Sequence, residues 1–190
     1  MDGVPGKEKI EDSVLRSIFS CMVDLGLENV SIRNVREATG LNSSSLYYRF
    51  SDKDEMVLQA AAYGFLEVTN ELFWIAAEKI GSPELAEVFA DNLDARKRQL
   101  KFLYQIALSP LYGEAFRGRV RPTDRVIEKY NGELAAVLGR GEEELLIYTE
   151  LFVSAIRDYV IWEDRAKLTE KLNFLYAQAV GAGRGGRAEC

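Results

Sequence analysis

Histidine is absent from this 190-residue chain, and cysteine, proline and long apolar runs are scarce. Without an imidazole, no Ser-His-Asp or Cys-His nucleophile system and no His-dependent metal site can be assembled from these residues alone. No paired-carboxylate or Gly-rich phosphate motif stands in for them, so neither catalysis nor a cofactor is expected. The two cysteines are Cys21, in an apolar helical stretch, and Cys190, the last residue. A disulfide between them would pin a tail to a core position, so the spacing predicts reduced thiols in a cytoplasmic protein. Met1-Asp2-Gly3-Val4-Pro5 contains no apolar signal core, and no run approaches the roughly 18 apolar residues that cross a bilayer. The expectation is a water-soluble chain with no membrane partner.

What is present is an ordinary globular composition, 47% hydrophobic and 28% charged, with a formal charge of −6. That sign speaks against a surface coated for a polyanion, until the charge is located. The only prolines are Pro5, Pro83, Pro110 and Pro122, and the stretches between them repeat apolar residues at helical spacing with no sustained alternation. The pattern predicts an all-α fold of about nine helices. The first spans about Lys7 to Leu25, with Ile10, Val14, Ile18, Met22 and Leu25 on one stripe widened by Leu15 and Phe19, and Gly26 stops it. A short helix follows the N-cap Ser31 and ends by Gly40, and another follows Asn42 or Ser43 and ends near Phe50. Ser51-Asp52-Lys53-Asp54 has capping-box spacing before a long helix to about Ile80. Further helices are predicted over about Pro83 to Asn92, Ala95 to Leu108, Pro122 to Leu138, Glu142 to Asp164 and Ala166 to Val180. The long helix from residue 53 belongs to both the early and the later part of the chain.

Residues 31 to 53 carry the chemistry. Ile32, Val35, Ala38, Leu41, Leu46 and Phe50 are spaced to pack a helix-turn-helix, which leaves Asn42, Ser43, Ser45, Tyr48 and Arg49 as a polar face. Small hydroxyls and an amide at the start of a helix suit base edges and phosphates, and tyrosine hydroxyls with Lys53 suit phosphates on either side. This segment holds four basic residues (Arg33, Arg36, Arg49, Lys53) and two acidic ones (Glu37, Asp52), a net of +2, whereas residues 54 to 190 hold 17 basic and 22 acidic, a net of −5. The acid lies away from the proposed reading head.

The run Gly40-Leu41-Asn42-Ser43-Ser44-Ser45-Leu46-Tyr47-Tyr48-Arg49-Phe50-Ser51-Asp52-Lys53 resembles the segment of TetR-family transcriptional regulators in which Leu-Tyr-x-x-Phe precedes a Lys opening the fourth helix. The resemblance covers roughly residues 8 to 60. It implies a helix-turn-helix DNA-binding domain over residues 1 to 53 and a helical ligand-binding and dimerisation domain over 54 to 180, and the Gly-rich, aperiodic composition of residues 181 to 190 predicts a disordered tail. It further implies DNA contact by Arg33, Asn42, Ser43, Ser44, Ser45, Tyr47, Tyr48, Arg49 and Lys53, on a palindromic double-stranded operator. Family members usually carry a small residue at Arg36, Lys or Arg at Ser43, Gly or Pro at Ser44, and His or Tyr at Arg49, so the operator sequence does not carry over.

Beyond residue 60 aromatics are many. By the resemblance, a pocket for a small, largely apolar effector lies among the middle helices, with Phe102, Tyr130, Tyr148 and Phe152 as candidate lining. Gly64, inside the long helix, points to a close helix approach. The basic run Arg117, Arg119, Arg121 and Arg125, around Gly118 and Pro122, reads as a solvated loop rather than a second DNA contact. The helix from Glu142 is apolar nearly all round and the last helix adds more, so the two are expected to pair with their copies in a homodimer through Leu151, Ala155, Tyr159, Leu168, Leu172, Leu175 and Tyr176. The expected activity is therefore that of a dimeric, ligand-responsive repressor. The alternatives are a ligand-independent or activating regulator, or an all-helical carrier or enzyme.

Overall fold

The computed structural model describes residues 5–79, 82, 84–120, 132, 135 and 141–181. Among them every regular element is helical: α1 (Pro5–Leu25), α2 (Ile32–Thr39), α3 (Ser43–Arg49), α4 (Lys53–Lys79), α5 (Leu85–Leu108), α6 (Gly113–Val120), α7 (Glu142–Trp162) and α8 (Arg165–Gly181), with a single 3₁₀ turn at Leu27–Asn29. The expected helix over Pro122 to Leu138 and the tail from 182 onward lie outside the described residues.

The chain divides into two compact units, one formed by Met1–Val68 with Arg98–Arg121, the other by Thr69–Lys97 with Pro122–Cys190. In the first unit Val14, Ile18, Phe19 and Met22 of α1 are buried, the middle of the stripe expected from the sequence, and they share a core with Val35, Leu46, Phe50, Met56 and Val57, while Leu25, expected on the same stripe, is exposed where the helix ends. Phe19 meets Phe102 of α5 edge to face at 5.9 Å between ring centroids, and Phe65 of α4 meets Phe116 of α6 the same way at 6.1 Å. Burying each of these side chains contributes about 1.5–3 kcal/mol. Gly64 lets α4 lie tight against α1, for a Cβ there would fall 2.5 Å from three carbons of the Phe19 ring.

In the second unit Leu72, Phe73, Phe89, Leu93, Ile156, Val160, Leu168 and Leu172 are buried. Phe89 of α5 packs on Phe152 of α7 at 4.7 Å. Arg165, the first residue of α8, donates to Glu87, Asp91 and Asp94 along α5, and the Tyr159 hydroxyl donates to Asp94 as well.

Three local expectations are corrected. No break separates residues 92 from 95, since α5 is continuous. Asn92 donates to the Val88 carbonyl one turn back, and Asp94 turns outward to Tyr159 and Arg165, so two residues that usually disrupt helices are satisfied within this one. The cap of α4 is Asp52 rather than Ser51, its carboxylate accepting from the Glu55 amide at 2.7 Å. Arg117 and Arg119 sit on α6 rather than in a loop, while Arg121 and Arg125 are outside the described residues.

Candidate nucleic-acid interface

The α2–α3 unit is assembled by short-range capping. Ser31 caps α2, accepting from the Asn34 amide at 3.3 Å, and Gly40 ends α2 in the left-handed conformation (φ 70°), its amide returning to the Arg36 carbonyl. Glycine is needed there because a Cβ is strained at that φ. Asn42 then caps α3, its side-chain oxygen accepting from the Ser45 amide at 2.8 Å. The first intrahelical bond of α3 runs from Leu46 to the Asn42 carbonyl, so the amides of Ser43 and Ser44 have no partner within the helix.

Leu46 and Phe50 anchor α3 by pointing into the core beside Val35, and the opposite face is solvent-exposed. That face is formed by Ser44, Tyr47 and Tyr48, at the i, i+3, i+4 spacing that places side chains on one side of a helix. Tyr48 is 85% exposed and Tyr47 53%. The face expected from the sequence is thus rotated: Ser43, Ser45 and Arg49 are half-buried flanks, and Asn42 is exposed at the cap. Ala38, expected in the packing seam, is exposed as well.

Arg49 folds back along α3. One of its terminal nitrogens donates to the Ser45 carbonyl at 3.3 Å, and its Nε, shielded from water, has no hydrogen-bond partner. A buried donor left unmade costs about 1–3 kcal/mol, which marks this guanidinium as incompletely satisfied by the folded chain. Arg33 on α2 is exposed and pairs with Glu37 one turn on at 3.0 Å, a contact of little energetic weight in water. Arg36, absent from the expected contacts, is exposed on the same helix, and Lys53 is half-buried at the first residue of α4.

The expected effector residues fall in both units. Phe102 is buried in the first unit against Phe19, Tyr148 and Phe152 are half-buried in the second, and Tyr130 lies outside the described residues. Among the described residues of the second unit, a cavity of about 210 Å³ lies along α7 and α8, lined by Tyr159, Trp162, Leu168 and the Asp158–Lys171 ion pair, among others. Of the expected interface residues, Ala155, Tyr159, Leu168 and Leu172 are buried within the chain, Leu175 and Tyr176 are half-buried, and Leu151 is exposed. The outward apolar side chains missed in the sequence are Leu146, Ile147, Val153, Ile161 and Trp162 of α7 and Phe174 of α8, with Trp162 76% and Phe174 62% exposed. Because α7 is apolar nearly all round, periodicity could not say which arc of it faces inward.

No helix among the described residues is long and apolar enough to cross a membrane. Residues 14–60, which run from within α1 through α2 and α3 to the start of α4, match the family of bacterial regulatory proteins of the tetR type. No curated protein and no solved structure matches the chain significantly. Capped α2 and α3, the outward tyrosines and this match together identify residues 14–60 as a helix-turn-helix DNA-binding domain of the tetR type.

Proposed function

We propose that the protein is a homodimeric repressor that reads a palindromic operator through α3 and is released when a small, largely apolar molecule binds its second unit. The observation that carries the DNA reading is the exposed Ser44-Tyr47-Tyr48 face of α3, which leaves two aromatic rings in water unless a partner covers them. In this reading the tyrosine hydroxyls and Lys53 take phosphates, while Ser43, Ser44, Ser45, Arg33 and Asn42 approach base edges and backbone. Arg49, half-buried on the flank of that face with one terminal nitrogen on the Ser45 carbonyl, turns its guanidinium edge to an acceptor on the duplex.

The exposed apolar arc of α7, with Phe174 of α8, supports the dimer. Such a patch is unusual on a monomer, and a second copy can cover it by two-fold symmetry. The interface then centres on Ile147, Leu151, Ile161, Trp162 and Phe174, with the buried Ala155, Tyr159, Leu168 and Leu172 supporting it from within. A dimer places two α3 helices on successive major-groove faces about 34–36 Å apart. The aromatic content of the second unit supports the effector, with Tyr148 and Phe152 as its candidate contacts.

Selection of binding sites from a random duplex pool tests the reading. The expected product is a palindrome whose binding falls steeply with salt and is lost in the Tyr48→Ala, Lys53→Ala double variant. Recovery of an asymmetric single site, or retention of binding in that variant, would overturn it.

A further inference from the structure

We propose that α6 and the turn leading into it act as a charge shield for DNA recognition, with Arg119 and Tyr112 as positioning residues that hold Glu55 and Asp54 away from the phosphates approached by Lys53. The proposal rests on the DNA reading of α3 and Lys53 given above. Its starting point is an electrostatic conflict. The cap and first turn of α4 read Asp52-Lys53-Asp54-Glu55, so three carboxylates flank the one ammonium offered to a polyanion. Acidic residues suit the positive end of a helix, but here that end is turned to serve DNA.

Each of the three carboxylates is engaged within the first unit. Asp52 accepts from the Glu55 amide. Asp54 accepts from the Tyr112 hydroxyl at 2.6 Å. Glu55 accepts from both terminal nitrogens of Arg119, one of them at 3.1 Å, and from the Gln59 side-chain amide at 2.6 Å. The Gln59 bond first, and Arg119 after it, hold the Glu55 carboxyl below its ordinary range, so it keeps its negative charge at neutral pH.

The α6 side has the spacing of a purpose-built stripe. Tyr112, Phe116 and Arg119 are at i, i+4 and i+7 and share one face. Phe116, fully buried against Phe65, anchors the middle, and the polar groups at either end fall on the two carboxylates. The two-pronged geometry is one that a guanidinium makes and an ammonium does not. With the shield in place the start of α4 presents Lys53 with its neighbouring acid neutralised or bonded. Without Arg119, Glu55 adds a net negative charge close to the duplex.

The test measures anisotropy of a fluorescent duplex of mixed sequence with the full-length protein at low and high salt. Arg119→Ala is expected to weaken binding about three- to tenfold at low salt, with the difference shrinking as salt screens it. Adding Glu55→Gln to Arg119→Ala is expected to restore affinity to within about twofold of the wild type, because the unshielded charge is then gone. Unchanged binding in Arg119→Ala, a loss independent of salt, or a loss that Glu55→Gln does not rescue would overturn the proposal. If Arg119→Ala does not fold, Tyr112→Phe keeps the buried ring while freeing Asp54, and Asp54→Asn is its rescue. Failure of the wild type to bind the duplex would instead overturn the DNA reading on which the shield depends.

Discussion

Replacing Gly64 by alanine sets two effects of opposite sign against each other. Alanine is the better helix former in the middle of α4, by about 1 kcal/mol. Against that, its methyl group would arrive 2.5 Å from Cγ, Cδ2 and Cε2 of Phe19, where no ordinary carbon contact exists. The ring cannot swing aside, since Phe19 is buried and held edge-on by Phe102. Overpacking of this kind costs about 1–3 kcal/mol, and a fixed ring puts the cost at about 2–3. The balance is a net loss of about 1–2 kcal/mol, or about 2–8 °C in Tm for a chain of this length. Calorimetry or a circular-dichroism melt measures it, and Phe19→Leu supplies the control. In that background Gly64→Ala should be neutral or stabilising, because the space it needs has been made. A rise in Tm for the single variant, or an equal loss in both backgrounds, would refute the close-approach reasoning.

Other outcomes are as specific. Asn42→Ala removes the only side-chain cap on a seven-residue helix and should cost about 1 kcal/mol of stability, read by urea denaturation, while weakening DNA binding. Phe174→Glu with Ile161→Glu should convert a dimer to a monomer in sedimentation; a dimer surviving both would place the interface elsewhere. The Tyr159 hydroxyl first, then Arg165, hold the Asp94 carboxyl down, and Lys171 holds down that of Asp158. Groups depressed in the folded state contribute their stability in full above the unfolded carboxylate range near about 4, and lose it as pH falls through their folded values. With no histidine, urea midpoints should therefore stay flat from pH 8 to about 5 and collapse only below about pH 4; an inflection near pH 6–7 would contradict this. Burial first, and then the Asp54 and Asp94 carboxylates, push the Tyr112 and Tyr159 phenols up to about 12, so their contribution is whole below about pH 10 and lost through pH 12. Phenolate absorbance should show a late-titrating fraction that Tyr112→Phe and Tyr159→Phe remove.

Features decided by neighbours in sequence were legible in it. Ser31 and Gly40 bound α2 as expected and Asn42, one of two residues expected to start α3, caps it, because a cap needs only groups within about four residues of one another. The Leu-Tyr-x-x-Phe core was legible too, since its buried positions are spaced by one turn. What depended on distant partners was not. Asn92 and Asp94 look like breakers until Tyr159 and Arg165, some 65 and 71 residues on, occupy Asp94. Arg119 looks like solvated charge until Glu55 is placed beside it. The outward face of α3 was rotated because a helix of two turns offers too few positions to fix its phase, and the burial of α7 was ambiguous because nearly every position on it is apolar.

Unit 1 is built from two stretches that are distant in sequence, and this bears on how the protein can be cut and rejoined. A fragment ending at residue 60, where the family match stops, would retain Phe19 and lose Phe102, retain Asp54 and Glu55 and lose Tyr112 and Arg119, and retain Asp24 and lose Arg98, its partner at 3.1 Å. The DNA-reading part is accordingly no portable cassette. Any chimera that transplants its specificity must carry residues 98–121 along with 1–68, and a deletion in α6 should register as a defect in DNA binding although it lies more than fifty residues downstream of α3.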